Sequence, residues 1–390
     1  MNKSGNITMY LGTVFLFLFS SLTALTQNQN QEASSEVNEK IYASAPAYDV
    51  KSYASDFKKK KPKNVILLIG DGMGYAQLHA AHTANRGNLF ISNIKHMGMI
   101  TTYSANRYIT DSAAGGSALA TGQKILNGAV SVDNENNPVK TVLQEASEKG
   151  LATGLVSTSA ITHATPASFI AHQPSRNMYE EIAADFLHTD IDVFIGGGYK
   201  HFTERKDGRN LVNELKEKGY TVEQDLDQIS KISGGKLAGF TAAEHNGRMD
   251  ERGDMLPIAT QTALNILGNN KKGFFLMVEG SQIDWGGHAG STIYVVEDML
   301  DFDRTVGVAL EFAAKNKETL VIVTADHETG GMVVLDGNYE TGMVKGEFTT
   351  GGHTGQMVPL FAYGPGAVEF LGIMDNTDVH AKIKNLLLGK

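Results

Sequence analysis

A serine in a segment of small residues is the first side chain of this sequence that could do chemistry. Residues 110–117 read T-D-S-A-A-G-G-S, and Ser112 follows Asp111 where the run to Thr121 can continue as a helix. The N–H groups and the dipole of a helix N-terminus attract anions, and small residues let a phosphoryl group approach closely. The same pattern is also an ordinary helix cap. The segment alone therefore predicts either a cap or a nucleophile.

Carboxylates and imidazoles recur in short polar motifs along the chain. Seven of these side chains stand out: Asp71, Glu279, Asp284, His288, Asp326, His327 and His353. Zn²⁺ accepts mixed histidine and carboxylate ligands, and the chain has no cysteine to supply thiolates. Mg²⁺ prefers oxygen ligands and retained waters. The set is large enough for two zinc ions and one oxygen-liganded ion, although any one histidine alone is more often a surface or core residue.

Alternating strand and helix patterns must position these side chains. Continuous apolar runs of strand length occupy residues 65–69, 152–156, 192–195, 273–278, 320–324 and 358–363. Helical patterns alternate with them at residues 179–187, 210–218, 258–267 and 292–315. Strands without polar alternation are buried on both faces, as in a parallel sheet covered by helices. The pattern predicts an α/β fold, a three-layer αβα sandwich with a central, mostly parallel sheet.

Four of the predicted strands lead directly into polar residues. In chain order, these residues are Asp71, His163 with Thr165, Glu279, and Asp326 with His327. In open α/β sheets ligands bind at the carboxyl ends of the strands, where the following loops form a crevice. One carboxylate after a strand is often only a helix cap, but four such strand ends at one edge predict a site.

Six separated motifs, in order along the chain, resemble those of the alkaline phosphatase family. They are I-G-D-G-M-G at 69–74, T-D-S-A-A-G-G-S-A-L-A-T-G at 110–122, H-A-T-P-A-S at 163–168 with Arg176 beyond it, E-G-S-Q-I-D-W-G-G-H at 279–288, T-A-D-H-E-T-G-G at 324–331 and G-G-H-T-G at 351–355. The resemblance covers nearly everything from residue 64 to the last helix. It implies a single catalytic domain of alkaline phosphatase-like fold over residues 64–390.

The resemblance also implies a role for each matched residue. It assigns one zinc ion to Asp284, His288 and His353, a second zinc ion to Asp71, Asp326 and His327, and a magnesium ion to Asp71, Thr165 and Glu279. Arg176 would grip the phosphoryl oxygens of the substrate with its planar fork. Ser112 would form a phosphoserine during the hydrolysis of small-molecule phosphate monoesters, with an alkaline pH optimum.

Two positions differ from the enterobacterial members of that family. His163 and Trp285 stand where those members have an aspartate and a lysine, and both resemble residues of marine bacterial members. We expect His163 and Trp285 to lie in the substrate-binding surroundings. Because Trp285 removes a positive neighbour of the phosphate, the resemblance predicts weaker product retention. A packing role for Trp285 is the alternative.

Other functions compete with the monoesterase. A phosphodiesterase, a sulfatase and a phosphoglycerate mutase belong to the same superfamily. Sulfatases usually need a modified cysteine, nucleotide pyrophosphatases typically use threonine where Ser112 stands, and the mutase is cytosolic. An exported metal-binding or phosphate-binding protein without turnover ranks lower, because every catalytic position is filled.

The N-terminal residues indicate export. Lys3 precedes an apolar run over residues 10–25, which is too short for a comfortable transmembrane helix. We therefore expect a signal peptide at residues 1–26 and a periplasmic or secreted protein with no stable membrane span after cleavage. An uncleaved anchor is the alternative. Residues 27–63 are polar and predict an N-terminal arm or linker.

Composition, the length of one segment and the family resemblance add further expectations. The net charge is −9 and the largest basic run spans residues 58–61, so no nucleic-acid-binding module is expected. Glycine is plentiful, with 42 residues, and proline is scarce, with 8, which favours a loose backbone and a cold-active enzyme. The short segment between His327 and His353 predicts an open site. The family resemblance implies a homodimer.

Overall fold

A ten-stranded sheet forms the centre of the protein. The computed structural model describes residue 1, residues 39–55 and residues 57–389. Its strands are β1 Ile41–Tyr42, β2 Asn64–Gly70, β3 His96–Thr101, β4 Ala152–Ala160, β5 Val193–Gly197, β6 Tyr220–Glu223, β7 Lys236–Phe240, β8 Phe274–Gly280, β9 Thr319–Thr324, β10 Glu328–Thr329, β11 Met332–Asn338, β12 Met343–Phe348, β13 His353–Thr354, β14 Val358–Tyr363 and β15 Gly372–Asp375. The spatial order of the large sheet is β15-β3-β14-β9-β2-β8-β4-β5-β7-β6.

All neighbours in this sheet are parallel except at β14, which runs antiparallel to both β3 and β9. The central strands β2, β4, β8 and β9 are buried along their whole length. Their unbroken apolar sequences suit this position, because a strand covered on both faces has no solvent side to make polar. The predicted mostly parallel sheet is confirmed.

Helices surround the sheet. They are α1 Tyr75–Ala84, α2 Ser112–Thr121, α3 Val142–Glu148, α4 Ala164–Ala167, α5 Tyr179–Asp185, α6 Tyr199–Thr203, α7 Leu211–Glu217, α8 Leu226–Ile229, α9 Met249–Arg252, α10 Met255–Leu267, α11 Gln282–Ala289, α12 Thr292–Asn316 and α13 Asn376–Ile383. All four helices predicted from the sequence are present. Helices α10 and α12 pack on each other, and α2 packs against α4 and α13.

Helix α12 is the longest helix among the described residues, and its sequence determines where it begins and ends. The Ser291 hydroxyl accepts a hydrogen bond from the Tyr294 N–H at 3.1 Å and caps the helix N-terminus. Lys317, with φ of 57°, ends it in the left-handed conformation. The buried face follows helical spacing at Val295, Met299, Phe302, Val306 and Leu310.

Part of the predicted N-terminal arm is docked on the body of the protein. Strand β1 pairs antiparallel with β12, and β12 pairs with β11 in a hairpin that occupies the segment between His327 and His353. Farther along the arm, the Tyr48 hydroxyl donates to Asp303 Oδ2 at 2.5 Å. The arm therefore contacts both the hairpin and helix α12.

The export signal predicted at residues 1–26 lies outside the described residues, apart from Met1. Among residues 39–55 and 57–389, none of the helices combines the length and the apolar character needed to cross a membrane.

Candidate active site

The register of the central strands brings the acidic residues together. Ile69 of β2 is paired with Glu279 of β8 on one side and with Thr324 of β9 on the other. Asp71 lies two residues after Ile69, and Asp326 lies two residues after Thr324. The carboxyl ends of these parallel strands therefore deliver three carboxylates to one place, as the sequence predicted for the edge of an open sheet.

Ser112 is the first residue of helix α2, directly beside these strand ends. Asp111 caps the helix, because its Oδ1 accepts from the Ala114 N–H at 3.0 Å. The Ser112 side chain is almost fully buried, and its Oγ lies 3.2 Å from Nε2 of His327. The cap and the nucleophile predictions are thus not exclusive, since Asp111 is the cap and leaves the Ser112 hydroxyl facing the carboxylates and imidazoles.

Among the described residues, three groups of side chains could each hold a metal ion. Within each group, one ligand atom per residue lies within 4.8 Å of the others. The groups are Asp284 with His327 and His353, Asp71 with Asp326 and His327, and Asp71 with His163 and Glu279. Asp71 and His327 each belong to two groups, so the three sites are contiguous.

Two residues of the predicted ligand sets lie beside these groups. His288 Nε2 is 3.3 Å from Asp284 Oδ1 and 3.2 Å from His353 Nε2, which puts it at the edge of the first group. Thr165 Oγ1 is 3.5 Å from Asp71 Oδ2, next to the third group. The structure thus brings all eight predicted ligands together, and it adds His163 to the third group.

Unpaired buried atoms indicate that the chain alone does not complete this site. Asp71 Oδ1, His163 Nδ1, Glu279 Oε1 and Asp326 Oδ2 are buried and have no hydrogen-bond partner among the described residues. Unpaired buried polar atoms are rare because each costs free energy comparable to a lost hydrogen bond. Carboxylate oxygens and an imidazole nitrogen are ligands for divalent cations, so the residues present fit bound zinc and magnesium.

The pKa values of the carboxyl groups also indicate that the site would be completed by bound cations. Burial raises the pKa of Asp71 well above its usual value, and the charges of Asp326 and Asp284 raise it further. Burial, together with Asp284 and Glu279, raises the pKa of Asp326 to about 8. In the protein alone these carboxylates repel one another in a low dielectric. Cations between them would remove this repulsion.

The histidines differ in how their surroundings affect them. The hydrogen bond to Asp284 raises the pKa of His288 to about 9. Burial, and then the charge of His353, lowers the pKa of His327 well below its usual value. Burial and the charge of Arg176 lower the pKa of His163 to about 3. His327 and His163 are therefore neutral, the state in which an imidazole binds a metal ion.

Arg176 closes the site on the side of the helix cap. Its Nη1 donates to Asp111 Oδ2 at 3.0 Å, and its Nη2 lies 3.2 Å from His163 Nε2. Asp111 Oδ2 also accepts from the Gly128 N–H at 3.0 Å. One carboxylate therefore fixes both the start of helix α2 and the guanidinium, which sets Arg176 beside Ser112.

Three rings form a wall behind Arg176. Trp285 lies 6.1 Å from His163 between ring centroids, and His245 lies 5.4 Å from His163 and 4.9 Å from Trp285. Sequence reasoning missed His245. His245 stands in a polar stretch directly after β7, which could have indicated a site residue at a strand end. Because β7 is only five residues long, it was not predicted as a strand.

Hydroxyl groups that support the carboxylates were missed as well. Ser157 Oγ lies 2.5 Å and Ser159 Oγ 3.4 Å from Glu279 Oε2, and the Thr329 hydroxyl donates to Asp284. Ser157 is paired with Glu279 in the register of β4 and β8, so only the sheet order could have predicted this contact.

Comparison with known proteins gives one consistent family. The family model described as alkaline phosphatase matches residues 62–347. The chain is 36% identical to alkaline phosphatase 3 of Bacillus subtilis, with 84% of this chain and 90% of that protein covered.

Two solved structures from the bacterium TAB5 are also similar. The alkaline phosphatase of this Antarctic bacterium is 40% identical in sequence to this chain, and the two structures superpose with a TM-score of 0.79. The match covers 85% of this chain and 99% of the other. A mutant of that enzyme at a histidine, with Mg bound in its M3 site, is 39% identical with a TM-score of 0.80 and the same coverage.

Proposed function

Because this chain belongs to the alkaline phosphatase family and is a phosphatase, we propose that Ser112 is the nucleophile that takes the phosphoryl group from small phosphate monoesters. One observation carries the proposal. The Ser112 hydroxyl is buried at a helix N-terminus and lies 3.2 Å from His327, within a cluster of carboxylates whose oxygens lack partners. A serine placed there meets both the anion-binding end of a helix and the candidate metal groups.

Two Zn²⁺ and one Mg²⁺ suit the donor atoms of these groups. We assign the first zinc ion to Asp284, His288 and His353, the second to Asp71, Asp326 and His327, and the magnesium ion to Asp71, Thr165 and Glu279, with His163 beside it. When bound, the ions supply positive charge that lowers the pKa of coordinated oxygens and offsets the charge of a phosphoryl group. The Mg-bound TAB5 mutant supports a magnesium ion in a protein of this fold.

The reaction has two halves. The Ser112 oxygen attacks phosphorus, the bond from phosphorus to the alcohol oxygen breaks, and the serine becomes a phosphoserine. The proton of the serine hydroxyl passes to solvent, and the departing oxygen takes up a proton to leave as the free alcohol. Water then attacks the phosphoserine, inorganic phosphate leaves, and Ser112 regains its hydroxyl proton. The need to deprotonate the serine and the water favours an alkaline pH optimum.

Arg176 binds the phosphoryl oxygens in both halves. Its guanidinium is held by Asp111, the residue directly before Ser112. A planar fork donates two parallel hydrogen bonds to two oxygens of one phosphoryl group. Trp285 and His163 line the same side of the site and complete the substrate-binding surface.

An assay of the purified protein tests this function. We expect turnover of p-nitrophenyl phosphate, much slower turnover of its bis ester, and loss of both after chelation, with recovery on adding zinc and magnesium. The variant Ser112→Ala removes the nucleophile and should lower kcat/KM by about 10³-fold or more. The control Ser147→Ala changes a serine of helix α3 whose hydroxyl donates to the Asp190 carbonyl at 2.8 Å, and it should keep full activity.

Three outcomes would contradict the proposal. Preference for the bis ester would indicate a phosphodiesterase. Full activity after chelation would exclude the metal ions. Wild-type kcat/KM in Ser112→Ala would exclude the serine as nucleophile.

Export and assembly complete the proposal. The apolar run at residues 10–25 supports a cleaved signal peptide and a periplasmic or secreted enzyme. We also propose a homodimer. N-terminal sequencing of the protein made with its full N-terminus, and light scattering on the purified enzyme, test these two points.

A further inference from the structure

We propose that His245 is a positioning residue that holds Trp285 and His163 in place and thereby aligns Arg176 with the phosphoryl group. The inference rests on the proposed function of Arg176. His245 lies on the loop after β7, far along the chain from every motif that identified the site. Its ring lies against Trp285 and His163 and completes the wall beside Arg176.

The loop that carries His245 is fixed by backbone contacts. The N–H groups of Gly198 and Lys200 donate to the carbonyls of Ala242 and Ala243 at 3.1 Å each. The Gln282 side chain, in the helix that contains Trp285, donates to the Asn246 carbonyl at 2.5 Å. The loop is therefore joined both to the start of helix α6 and to helix α11. A ring on a loop held in this way can act as a rigid support.

Three rings meet nearly at right angles. The planes of His245 and Trp285 cross at 88°, those of His245 and His163 at 87°, and those of His163 and Trp285 at 88°. Edge-to-face contacts at these centroid distances are favourable because the positive edge of one ring meets the negative face of the next. Each ring therefore restricts the other two.

A hydrogen bond sets the orientation of the His245 ring. The Ala160 N–H donates to His245 Nδ1 at 3.1 Å, so this nitrogen accepts and the ring proton is on Nε2. Ala160 is the last residue of β4, three residues before His163. The end of the strand that presents His163 is thus tied to the ring that packs on it.

The contacts that begin at His245 pass through His163 and end at Arg176, the group that would bind phosphate. His163 Nε2 lies 3.2 Å from Nη2 of Arg176, and Nη1 of Arg176 is held by Asp111. Two supports, one on each side, therefore fix the guanidinium. Without His245, Trp285 and His163 would gain freedom, and the support on the His163 side would weaken. We expect a loss of phosphate affinity with little change in the chemical step.

Trp285 provides a direct probe, because it is the only tryptophan of the chain. The variant His245→Asn removes the ring, while the Asn oxygen can still accept from the Ala160 N–H. We expect the emission maximum of Trp285 to move to longer wavelength and its quenching by acrylamide to increase. These measurements need neither substrate nor turnover.

Phosphate binding and kinetics supply the second readout. In His245→Asn, the Kd for inorganic phosphate, measured by calorimetry on the metal-loaded enzyme, and the KM for p-nitrophenyl phosphate should both rise about fivefold. The kcat should change by less than about twofold. A purely structural role would instead lower the melting temperature without moving Kd and KM together.

Two further variants make the test specific. His245→Phe keeps a ring but cannot accept from Ala160, and we expect its emission and phosphate affinity to lie closer to the wild-type values than those of His245→Asn. His82→Asn is the matched control, because half-buried His82 makes an edge-to-face contact with Tyr339, at 80° and 5.8 Å, within the α1 and hairpin region. It should change neither the emission nor the phosphate affinity.

Unchanged phosphate affinity in a folded His245→Asn enzyme would overturn the proposal, even with an altered emission spectrum. Equal losses in the Asn and Phe variants would also overturn it, because the ring would then not be the cause. Absence of phosphomonoester turnover in the unmodified enzyme would contradict the proposed function instead. The calorimetric affinity for phosphate would still decide the role of His245.

Discussion

Ser112 depends on the residue before it and on two residues from distant parts of the chain. Asp111 caps its helix, His327 lies 3.2 Å from its oxygen, and Arg176 is held beside it by the same Asp111. The sequence could predict these neighbours because each stands at the end of an apolar run or in a family motif. It could not predict His245, whose contribution depends on ring packing between three separate segments of the chain.

The residue at position 285 should control product retention. Trp285→Lys adds a cation beside His163 and Arg176, where inorganic phosphate would bind. Opposite charges a few ångströms apart attract by about 1–4 kcal/mol near a protein surface, so we expect the inhibition constant of phosphate to fall at least about fivefold. Steady-state inhibition assays measure it. Trp285→Phe adds no charge and should stay near the wild-type value; an unchanged constant in Trp285→Lys would contradict the assignment.

At the scale of elements, helix α2 must approach the end of β9 closely. A Cβ on Gly115 would lie 2.9 Å from the Asp326 carbonyl oxygen and 3.1 Å from the Asp326 Cβ. Backbone atoms cannot move aside as a flexible side chain would. Gly115 is therefore needed for the close approach of Ser112 to the Asp326 group.

Gly115→Ala should push the helix and the strand end apart. We expect a loss of about tenfold in kcat/KM and about 1–3 kcal/mol in the free energy of unfolding. The control is Gly234→Ala, because a Cβ at Gly234 meets no atom within 4 Å and the residue lies in a surface turn. Wild-type activity in Gly115→Ala would show that the spacing of helix α2 and β9 is not critical.

The contact between the N-terminal arm and helix α12 should make stability depend on pH. Asp303 is fully buried and accepts from Tyr48 Oη and from the N–H groups of Phe90 and Ile91. Burial raises the pKa of Asp303 from 3.8 to about 6 despite these bonds. Between these two values the folded protein holds the proton more tightly than the unfolded chain. The free energy of unfolding therefore falls as pH rises from about 4 to 6.

Replacing Asp303 by asparagine removes this titration. From pH 4 to pH 7, the wild-type protein should lose about 2 kcal/mol more unfolding free energy than Asp303→Asn. Urea unfolding at several pH values measures the difference, and the titration of the metal-site residues cancels because both proteins share them. Parallel pH profiles for the two proteins would contradict the raised pKa.

The elements recovered from the sequence are those with a continuous apolar pattern. Strands β2, β4, β5, β8, β9 and β14 were predicted and are confirmed. Strand β3 alternates between buried and less buried residues, and β15 is short and mostly exposed at the sheet edge. Such strands owe their structure to pairing with neighbours, which the local sequence does not encode strongly. The antiparallel direction of β14 likewise depends on the path of the whole chain.

For the whole molecule, composition predicts low resistance to heat. Many of the described glycines have positive φ, so turns require them, and the scarcity of proline is the stronger reason to expect a loose backbone. We expect activity to be lost within minutes at about 60 °C, at the upper end of the range in which mesophilic domains unfold. Residual activity after timed incubation measures the rate. Stable activity for hours at that temperature would contradict the expectation of a cold-active enzyme.

Phosphoryl transfer through Ser112 can be observed by trapping the phosphoserine during turnover. The metal-loaded enzyme is mixed with excess p-nitrophenyl phosphate, quenched in acid during turnover, digested and mapped by mass spectrometry. We expect one added phosphoryl group on the peptide that contains Ser112, and none in the Ser112→Ala variant. Rapid turnover with that peptide unmodified, or a phosphoryl group on another residue, would contradict transfer through Ser112.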